Sequence, residues 1–276
     1  MGLNADLAGK TYSTSKFDVT ADAIEKYARA TNDDNSHYRG NAAVASPIFL
    51  VVPAFPSFME AARDPDLGAD LLKLVHGAEE HVVHRSVHPG DVLTVTPVLE
   101  SVEIKDTGET FTVKATETNQ NDQIVAEIRG TMFIRGTGDR RRAAAAAAMG
   151  ESPGEIIFEG KTKVDEDQTF RYAEASGDRN PIHLDPETAR LAGLPGVIVH
   201  GMCTMAMATK TAIEGAAAGQ PSKVARVSVR FSRPVLPGQE LTTRVWSRGR
   251  DGYGFETLNP AGKPVVRDGW LELFDS

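Results

Sequence analysis

Tyr27-Ala28-Arg29-Ala30-Thr31-Asn32-Asp33-Asp34-Asn35 and Tyr172-Ala173-Glu174-Ala175-Ser176-Gly177-Asp178-Arg179-Asn180 are two versions of one phrase, 145 residues apart (172 − 27). Tyr, two Ala, Asp and Asn coincide. A second pair, His88-Pro89-Gly90-Asp91 and Leu236-Pro237-Gly238-Gln239, repeats at 148 (236 − 88), as expected if one loop differs by three residues. The chain therefore reads as two half-length units of one design, and such a repeat constrains the fold before any strand is placed.

Each copy reads as helix first and strands later. In the second, Asp165 can cap a helix from about Glu166 to Ser176, with Gln168 at the third position and Gly177 as the left-handed residue that ends it. The first copy has Asn32 at that place, the next-best residue for the conformation. Asp185-Pro186-Glu187 reads as N-cap, first-turn proline and first-turn acid of a short helix closed by Gly193. Val197-Ile198-Val199-His200-Gly201 then leads into Met202–Ala217, where only Lys210 and Glu214 are charged, and a helix apolar on nearly all sides is a buried, central one. Arg226–Phe231 alternates with period two, and after the Pro237-Gly238 turn come strands over Leu241–Trp246, Phe255–Leu258 and Trp270–Phe274. This predicts an antiparallel sheet with one wet face and one face on the helix.

Composition narrows the function classes. The chain has 276 residues, with 30 Lys+Arg against 38 Asp+Glu, a formal net charge of −8 that excludes a general nucleic-acid binder. Hydrophobic residues at 41% and charged residues at 25% are ordinary for a folded chain of one or two domains. Cys203 is the only cysteine, which rules out an intramolecular disulfide or a multi-cysteine zinc site and fits a reducing compartment. The first thirty residues lack a charged-then-apolar leader, and the apolar stretches near Ile48 and Met202 are broken before the roughly 20 residues a membrane span needs. A soluble, cytoplasmic protein with no membrane partner is expected.

The division read from the sequence is an N-terminal unit over 1–136, a linker over 137–153 and a C-terminal unit over 154–276. The linker holds Arg140-Arg141-Arg142, the alanines Ala143 to Ala148 and Gly150-Glu151-Ser152-Pro153-Gly154, with no strand or amphipathic pattern. The alanine run could be a short helical strut.

The chemistry concentrates in Tyr172 to Gly177 followed by Asp178-Arg179-Asn180-Pro181-Ile182-His183, and then, after sixteen residues, His200-Gly201-Met202. Pro181 disfavours helix at Asn180, so the loop stays open, and an Asp and a His five residues apart in a non-helical turn can both face one water. Histidine titrates near working pH, while aspartate is ionised unless desolvated. The pattern aromatic, Ser/Thr-Gly-Asp-x-Asn-Pro-aliphatic-His resembles that of the MaoC-like (R)-specific 2-enoyl-CoA hydratases, or hydratase 2, and every position of it is met. The second half resembles the family closely and the first half more loosely, as in its double-hotdog members.

That resemblance implies an α+β double hotdog, two antiparallel sheets each wrapped round a central helix, with the N-terminal hotdog degenerate. It implies reversible hydration of trans-2-enoyl-CoA or enoyl-carrier thioesters to (R)-3-hydroxyacyl thioesters, with Asp178 and His183 activating one water, Asn180 orienting it or the His, and the Gly201 backbone N–H binding the thioester oxygen. A glycine at a helix N-terminus suits that last role, offering a donor and close approach. Which of Asp178 and His183 is the base stays open. Among substrate contacts, His200 is either a ligand contact or a histidine packed beside the helix start. Arg230 and Arg233, with Arg226 nearby, either form a solvated strand face or meet the phosphates of a CoA or carrier pantetheine. No cofactor and no metal is expected, and a homodimer of chains is left open.

The first copy lacks the pair in register. Asp33 and Asn35 remain, but Tyr38 stands where His183 would, His37 falls one residue early, and Pro56 takes the place of Gly201. With a pKa of about 10, tyrosine replaces imidazole poorly. This copy is expected to be non-catalytic. Pro47, Pro53 and Pro56 interrupt what would be its central helix, and by resemblance a shortened helix there opens a cavity for the acyl chain; drift of a degenerate copy is the plainer reading. Gly150–Gly154 spells a serine-hydrolase elbow without the required strand before it. His76, His81, His84 and His88 cluster, but without a ligand set they read as a polar sheet face. No Walker-type or dinucleotide-type glycine loop occurs. The rivals are a hotdog thioesterase, since fold does not fix function, and a non-catalytic hotdog that binds acyl thioesters.

Overall fold

The structure, a computed structural model, describes residues 2–106, 108–136, 154–250 and 252–274. The expected linker over 137–153, with its arginines, alanines and most of the elbow-like phrase, lies outside the described residues. The N-terminal half contributes β1 (Ser15–Asp18), β2 (Leu74–Val83), β3 (Val92–Lys105), β4 (Gly108–Thr118) and β5 (Ile124–Ile134). The C-terminal half contributes β6 (Ile156–Lys163), β7 (Val224–Phe231), β8 (Glu240–Ser247), β9 (Gly252–Leu258) and β10 (Pro264–Leu273).

These strands form one antiparallel sheet in the order β1-β3-β4-β5-β2-β7-β10-β9-β8-β6. The second half of that order mirrors the first, with β6, β8, β9, β10 and β7 taking the places of β1, β3, β4, β5 and β2. The repeat in sequence is thus a repeat in topology. The two sheets join where Ala78–Val82 of β2 pair with Arg226–Arg230 of β7, which removes the edge that each half would otherwise expose.

Five α-helices stand on this sheet: α1 (Ala21–Ala30), α2 (Val51–Ala62), α3 (Gln168–Ser176), α4 (Pro186–Leu191) and α5 (Gly201–Ala217), counted among the described residues. The helix α5 packs across β6 to β10 as the central helix of its half. Glycines allow its close approach: a Cβ on Gly215 would lie 2.6 Å from Phe158 Cβ, and one on Gly160 would lie 2.7 Å from Thr211 Cγ2. Its counterpart α2 packs on β1, β3, β4 and β5. The expected proline interruption is milder than the sequence suggests. Pro47 opens a one-turn 3₁₀ segment, Pro47–Leu50, and Pro53 falls in the first turn of α2, where no intrahelical N–H is needed. Only Pro56 sits inside the helix, which still spans 12 residues against 17 for α5.

Two local expectations shift. Each half begins with a strand, β1 or β6, before its first α-helix; burial alternates along β1 and along β6 from Phe158, but inward positions such as Ser15, Gly160 and Thr162 are not apolar, so the residue types show no period. The helix α3 begins at Gln168 rather than Glu166. Asp165 is not its cap: its carboxylate accepts from Arg171 and from Asn32 Nδ2, while its N–H donates to Gln168 Oε1 at 3.1 Å. Gly177 (φ +79°) and Asn32 (φ +55°) do end their helices left-handed. Tyr27 and Tyr172, the first residues of the repeated phrase, meet edge to face with centroids 5.7 Å apart, so the repeat packs against itself in the core.

Candidate active site

The chain after α3 is held by a series of short-range hydrogen bonds. The Asp178 N–H donates to Ser176 Oγ at 3.2 Å, the Asn180 N–H to Asp178 Oδ1 at 3.0 Å, and the Ile182 N–H to Asn180 Oδ1 at 3.4 Å. Asn180 thereby caps a 3₁₀ turn, Pro181–His183, that carries His183 inward until only 7% of it is exposed. His183 Nδ1 lies 2.7 Å from the Ile198 carbonyl, an acceptor, so Nδ1 bears the proton and Nε2 is the free nitrogen.

His200 lies behind that ring. The two imidazoles stack with centroids 3.8 Å apart and planes 28° apart, Tyr172 covers the far side of His200 at 4.8 Å, and His200 Nε2 donates to the Asp178 carbonyl at 3.0 Å. Burial lowers the pKa of His183 against the opposing pull of the Asp178 charge and the Ile198 carbonyl. Burial, and then the neighbouring His183, hold His200 well below the ordinary histidine value. Both rings are therefore neutral near pH 7. One ligand-capable atom from each of Asp178, His183 and His200 lies within 4.8 Å of the others, a span one water can bridge with two ordinary hydrogen bonds. Among the described residues this is also the only such group with cation-ligand spacing.

Gly201 is the first residue of α5, so its N–H has no intrahelical acceptor and points out of a helix N-terminus. The ring of Phe231 lies 3.4 Å from where a Cβ on Gly201 would stand. Asp178, Asn180, His183 and Gly201 all line a cavity of about 440 Å³. Its other wall comes from the N-terminal half, with Val51, Phe55, Phe58 and Met59 from α2 and Val75, His76 and Met132 from the sheet.

Of the substrate contacts expected from the sequence, only Arg233 lines the cavity, its Nη1 donating to the Pro264 carbonyl at 3.0 Å. Arg230 stands on the outer face, 59% exposed and 4.0 Å from Asp268. His200, at 1% exposure, backs His183 and does not reach the cavity. Arg135, not singled out by sequence, does line it; its Nη2 holds the Leu72 and Ala192 carbonyls, and its Nε is buried without a partner among the described residues.

The reading of the histidine cluster as a polar sheet face fails: His84 and His88 lie beyond the end of β2, in the connection to β3. His81 is fully buried, and His76 lines the cavity; both bind the buried Glu79. A regular strand puts residues three apart on opposite faces, which hid the pair, and the signal that could have found it is the His76-Gly77 bulge. In the first copy, Asn35 caps Ser36–Tyr38 as Asn180 caps Pro181–His183, and the buried Tyr38 fills the histidine position. Burial raises Asp33 beside it to about 6.

Comparison with known proteins agrees with this architecture. Residues 148–265 match the family model described as MaoC like domain, and residues 6–128 match that of the FAS1-like dehydratase domain region. The 3-hydroxyacyl-thioester dehydratase Y of Mycobacterium tuberculosis is 29% identical over 259 residues, covering 88% of this chain and 86% of that protein. The mouse peroxisomal multifunctional enzyme type 2 is 25% identical over 245 residues, 86% of this chain but 33% of the mouse protein, so the chain spans about a third of that relative. The crystal structure of a MaoC-like dehydratase from Phytophthora capsici superimposes with a TM-score of 0.85 at 22% identity, covering 99% of both chains. The repeated hotdog, the two half-chain family matches and the near-full-length relative agree: the C-terminal half matches a MaoC like domain, the N-terminal half matches a FAS1-like dehydratase region, and the fold is that of two hotdogs joined in one polypeptide.

Proposed function

We propose that the chain catalyses reversible hydration of trans-2-enoyl thioesters to (R)-3-hydroxyacyl thioesters. The observation that carries this reading is that ligand-capable atoms of Asp178 and His183 lie within 4.8 Å of one another and that both residues line, with Gly201, one mostly apolar cavity. Hydrating a conjugated thioester requires three things there: a base for water, a proton for Cα, and a donor for the enolate-like oxygen.

The neutral His183, proton fixed on Nδ1, offers Nε2 as the base. Asp178 accepts the other hydrogen of the water and aims its oxygen at Cβ. As the C–O bond forms, the π electrons move to the thioester oxygen, where the Gly201 N–H receives the charge. The imidazolium then returns its proton to Cα on the same face, and the enolate collapses to the saturated thioester. Asn180 keeps the Asp178 loop in place. The walls from Val51, Phe55, Phe58 and Met59 take the acyl chain, which gives the shortened N-terminal helix its use. Arg233 and Arg135, the cations on the cavity wall, suit the phosphates of a CoA or carrier pantetheine. The one cysteine, buried at Cys203, suits a reducing compartment such as the cytoplasm. Pairing of two chains is not required, because the two halves already supply both walls.

Incubation with crotonyl-CoA tests the reading. Loss of the conjugated-thioester absorbance without release of free thiol is the expected result. Thiol release would replace it with a thioesterase, and no change in either signal with a non-catalytic binder.

A further inference from the structure

One polar group on the cavity wall has no part in that chemistry. His76 of β2 lines the cavity with its side chain 18% exposed, and its Nε2 lies 2.8 Å from Oε2 of the fully buried Glu79. Oε1 of the same carboxylate lies 2.9 Å from Nε2 of the buried His81, whose Nδ1 lies 2.8 Å from the Pro47 carbonyl. Both His81 nitrogens therefore face acceptors, a backbone carbonyl and a carboxylate. Burial by itself would raise Glu79, and is the largest single influence, but His76 and His81 together outweigh it and hold the carboxyl below its ordinary value. His76 meets the same carboxylate through Nε2. Its Nδ1 is left as an acceptor with no protein partner among the described residues.

The backbone is shaped for this arrangement. A bulge between His76 and Ala78 shifts the strand alternation by one residue, so that His76 and Glu79 both face inward. Gly77 occupies the bulge, where a Cβ would lie 3.3 Å from the Thr131 carbonyl. Opposite Glu79, a Cβ on Gly130 would lie 3.0 Å from Glu79 Oε2 and 2.8 Å from Phe58 Cε2. At the repeat offset of 148, His76, Glu79 and His81 fall on Val224, Val227 and Val229 of β7 (76 + 148, 79 + 148, 81 + 148), so the polar chain belongs to the N-terminal half alone. The His76 ring packs on Phe231 with centroids 4.9 Å apart, and Phe231 in turn covers Gly201. His76 therefore stands one ring beyond the thioester end of the site, on the wall that receives the acyl chain. A purely aliphatic chain in the cavity would displace water from Nδ1 and put nothing in its place, which weakens binding.

We propose that His76 is a specificity-determining residue whose Nδ1 accepts a hydrogen bond from a hydroxyl on the acyl chain, so that the site prefers hydroxylated enoyl thioesters to plain alkyl ones of equal length. This rests on the hydratase reading above and refines its substrate class.

The test measures kcat/KM on trans-2-enoyl-CoA substrates of one length, either unsubstituted or with a hydroxyl moved one carbon at a time beyond the double bond. Wild type is expected to favour the hydroxylated substrate by about tenfold at one position or two adjacent ones, chiefly through KM. In His76→Leu that ratio falls to about one, whatever the absolute rate. His76→Leu with Glu79→Gln is the companion variant, because the single change leaves Glu79 with one partner, and it too should lose the preference. The wild-type ratio needs no variant and stands if neither folds. A wild-type ratio below about two at every position, or a preference that survives both variants, overturns the inference while leaving the hydratase reading intact. Failure of wild type to hydrate any member of the series overturns that reading, and the inference with it.

Discussion

The rings of His183 and His200 stack 3.8 Å apart, and His200 donates to the backbone carbonyl of the residue whose side chain faces His183. His200 thus acts through its neighbours: it seals one face of His183 and braces Asp178. Because burial lowers the His183 pKa, its ordinary value of 6.5 sets an upper bound for the acid limb of activity. The kcat/KM profile should fall below pH 6.5 in wild type, and His200→Ala, which admits solvent to the stacked face, should move that limb up toward 6.5. An unmoved limb in the variant would make His200 mere packing.

Stability should depend on pH through opposing groups. His183 and His200 have lowered pKa values in the fold, so the unfolded chain binds more protons, and the stability they support is full above 6.5 and lost as pH falls. Glu117 of β4 is the reverse case. It is fully buried, both oxygens lack a partner among the described residues, and burial alone raises it well above 4.5, so the folded state holds a proton the unfolded state releases and stability declines as pH rises past 4.5. Glu117→Met, similar in volume and apolar, should raise the midpoint of thermal unfolding at pH 7 by about 2–4 °C or more. The gain should vanish near pH 4, and a gain equal at both pH values would contradict the cause.

Gly201 offers a way to delete a backbone donor. It is the first residue of α5, where proline is well accommodated, and His200 before it sits at φ −56°, ψ 137°, a conformation proline allows in its predecessor. Gly201→Pro should leave thermal unfolding close to wild type and reduce kcat by about 10²–10³. Gly201→Ala keeps the N–H and meets Phe231 at ordinary contact, so it should retain more activity than the proline variant. Equal losses would assign the effect to crowding.

Phe55 of α2 lines the cavity from the degenerate half. Phe55→Ala should shift the optimum of an enoyl-CoA length series toward longer chains while the rate on the shortest substrate changes less. An unshifted optimum would place the acyl chain elsewhere.

The repeat, the two left-handed helix ends at Asn32 and Gly177, the Asp185 cap and the buried helix of the second half were all readable from residue order, because each rests on neighbours within one or two turns. The motif loop was readable for the same reason: Asn180 caps it and Pro181 opens it, both local effects. What escaped depends on distant parts of the chain. Whether β2 would meet β7, and so join two sheets into one, is a pairing between halves. Arg230 and Arg233 looked alike in an alternating strand, yet one faces solvent and the other the cavity. His76 read as a surface residue because its partner Glu79 lies across a bulge that no regular periodicity describes. In β1 and β6 the inward positions include Ser15, Gly160 and Thr162, which are not apolar, so the alternation of burial has no counterpart in hydrophobicity.

The most direct measurement is a double-variant cycle on hydration of crotonyl-CoA with Asp178→Asn and His183→Gln. If both side chains hold one water, each single change lowers kcat by about 10³ or more, and the double variant is little worse than either, as for groups that act as a unit. Losses that multiply, or single variants within about tenfold of wild type, would contradict a shared water and the reaction built on it.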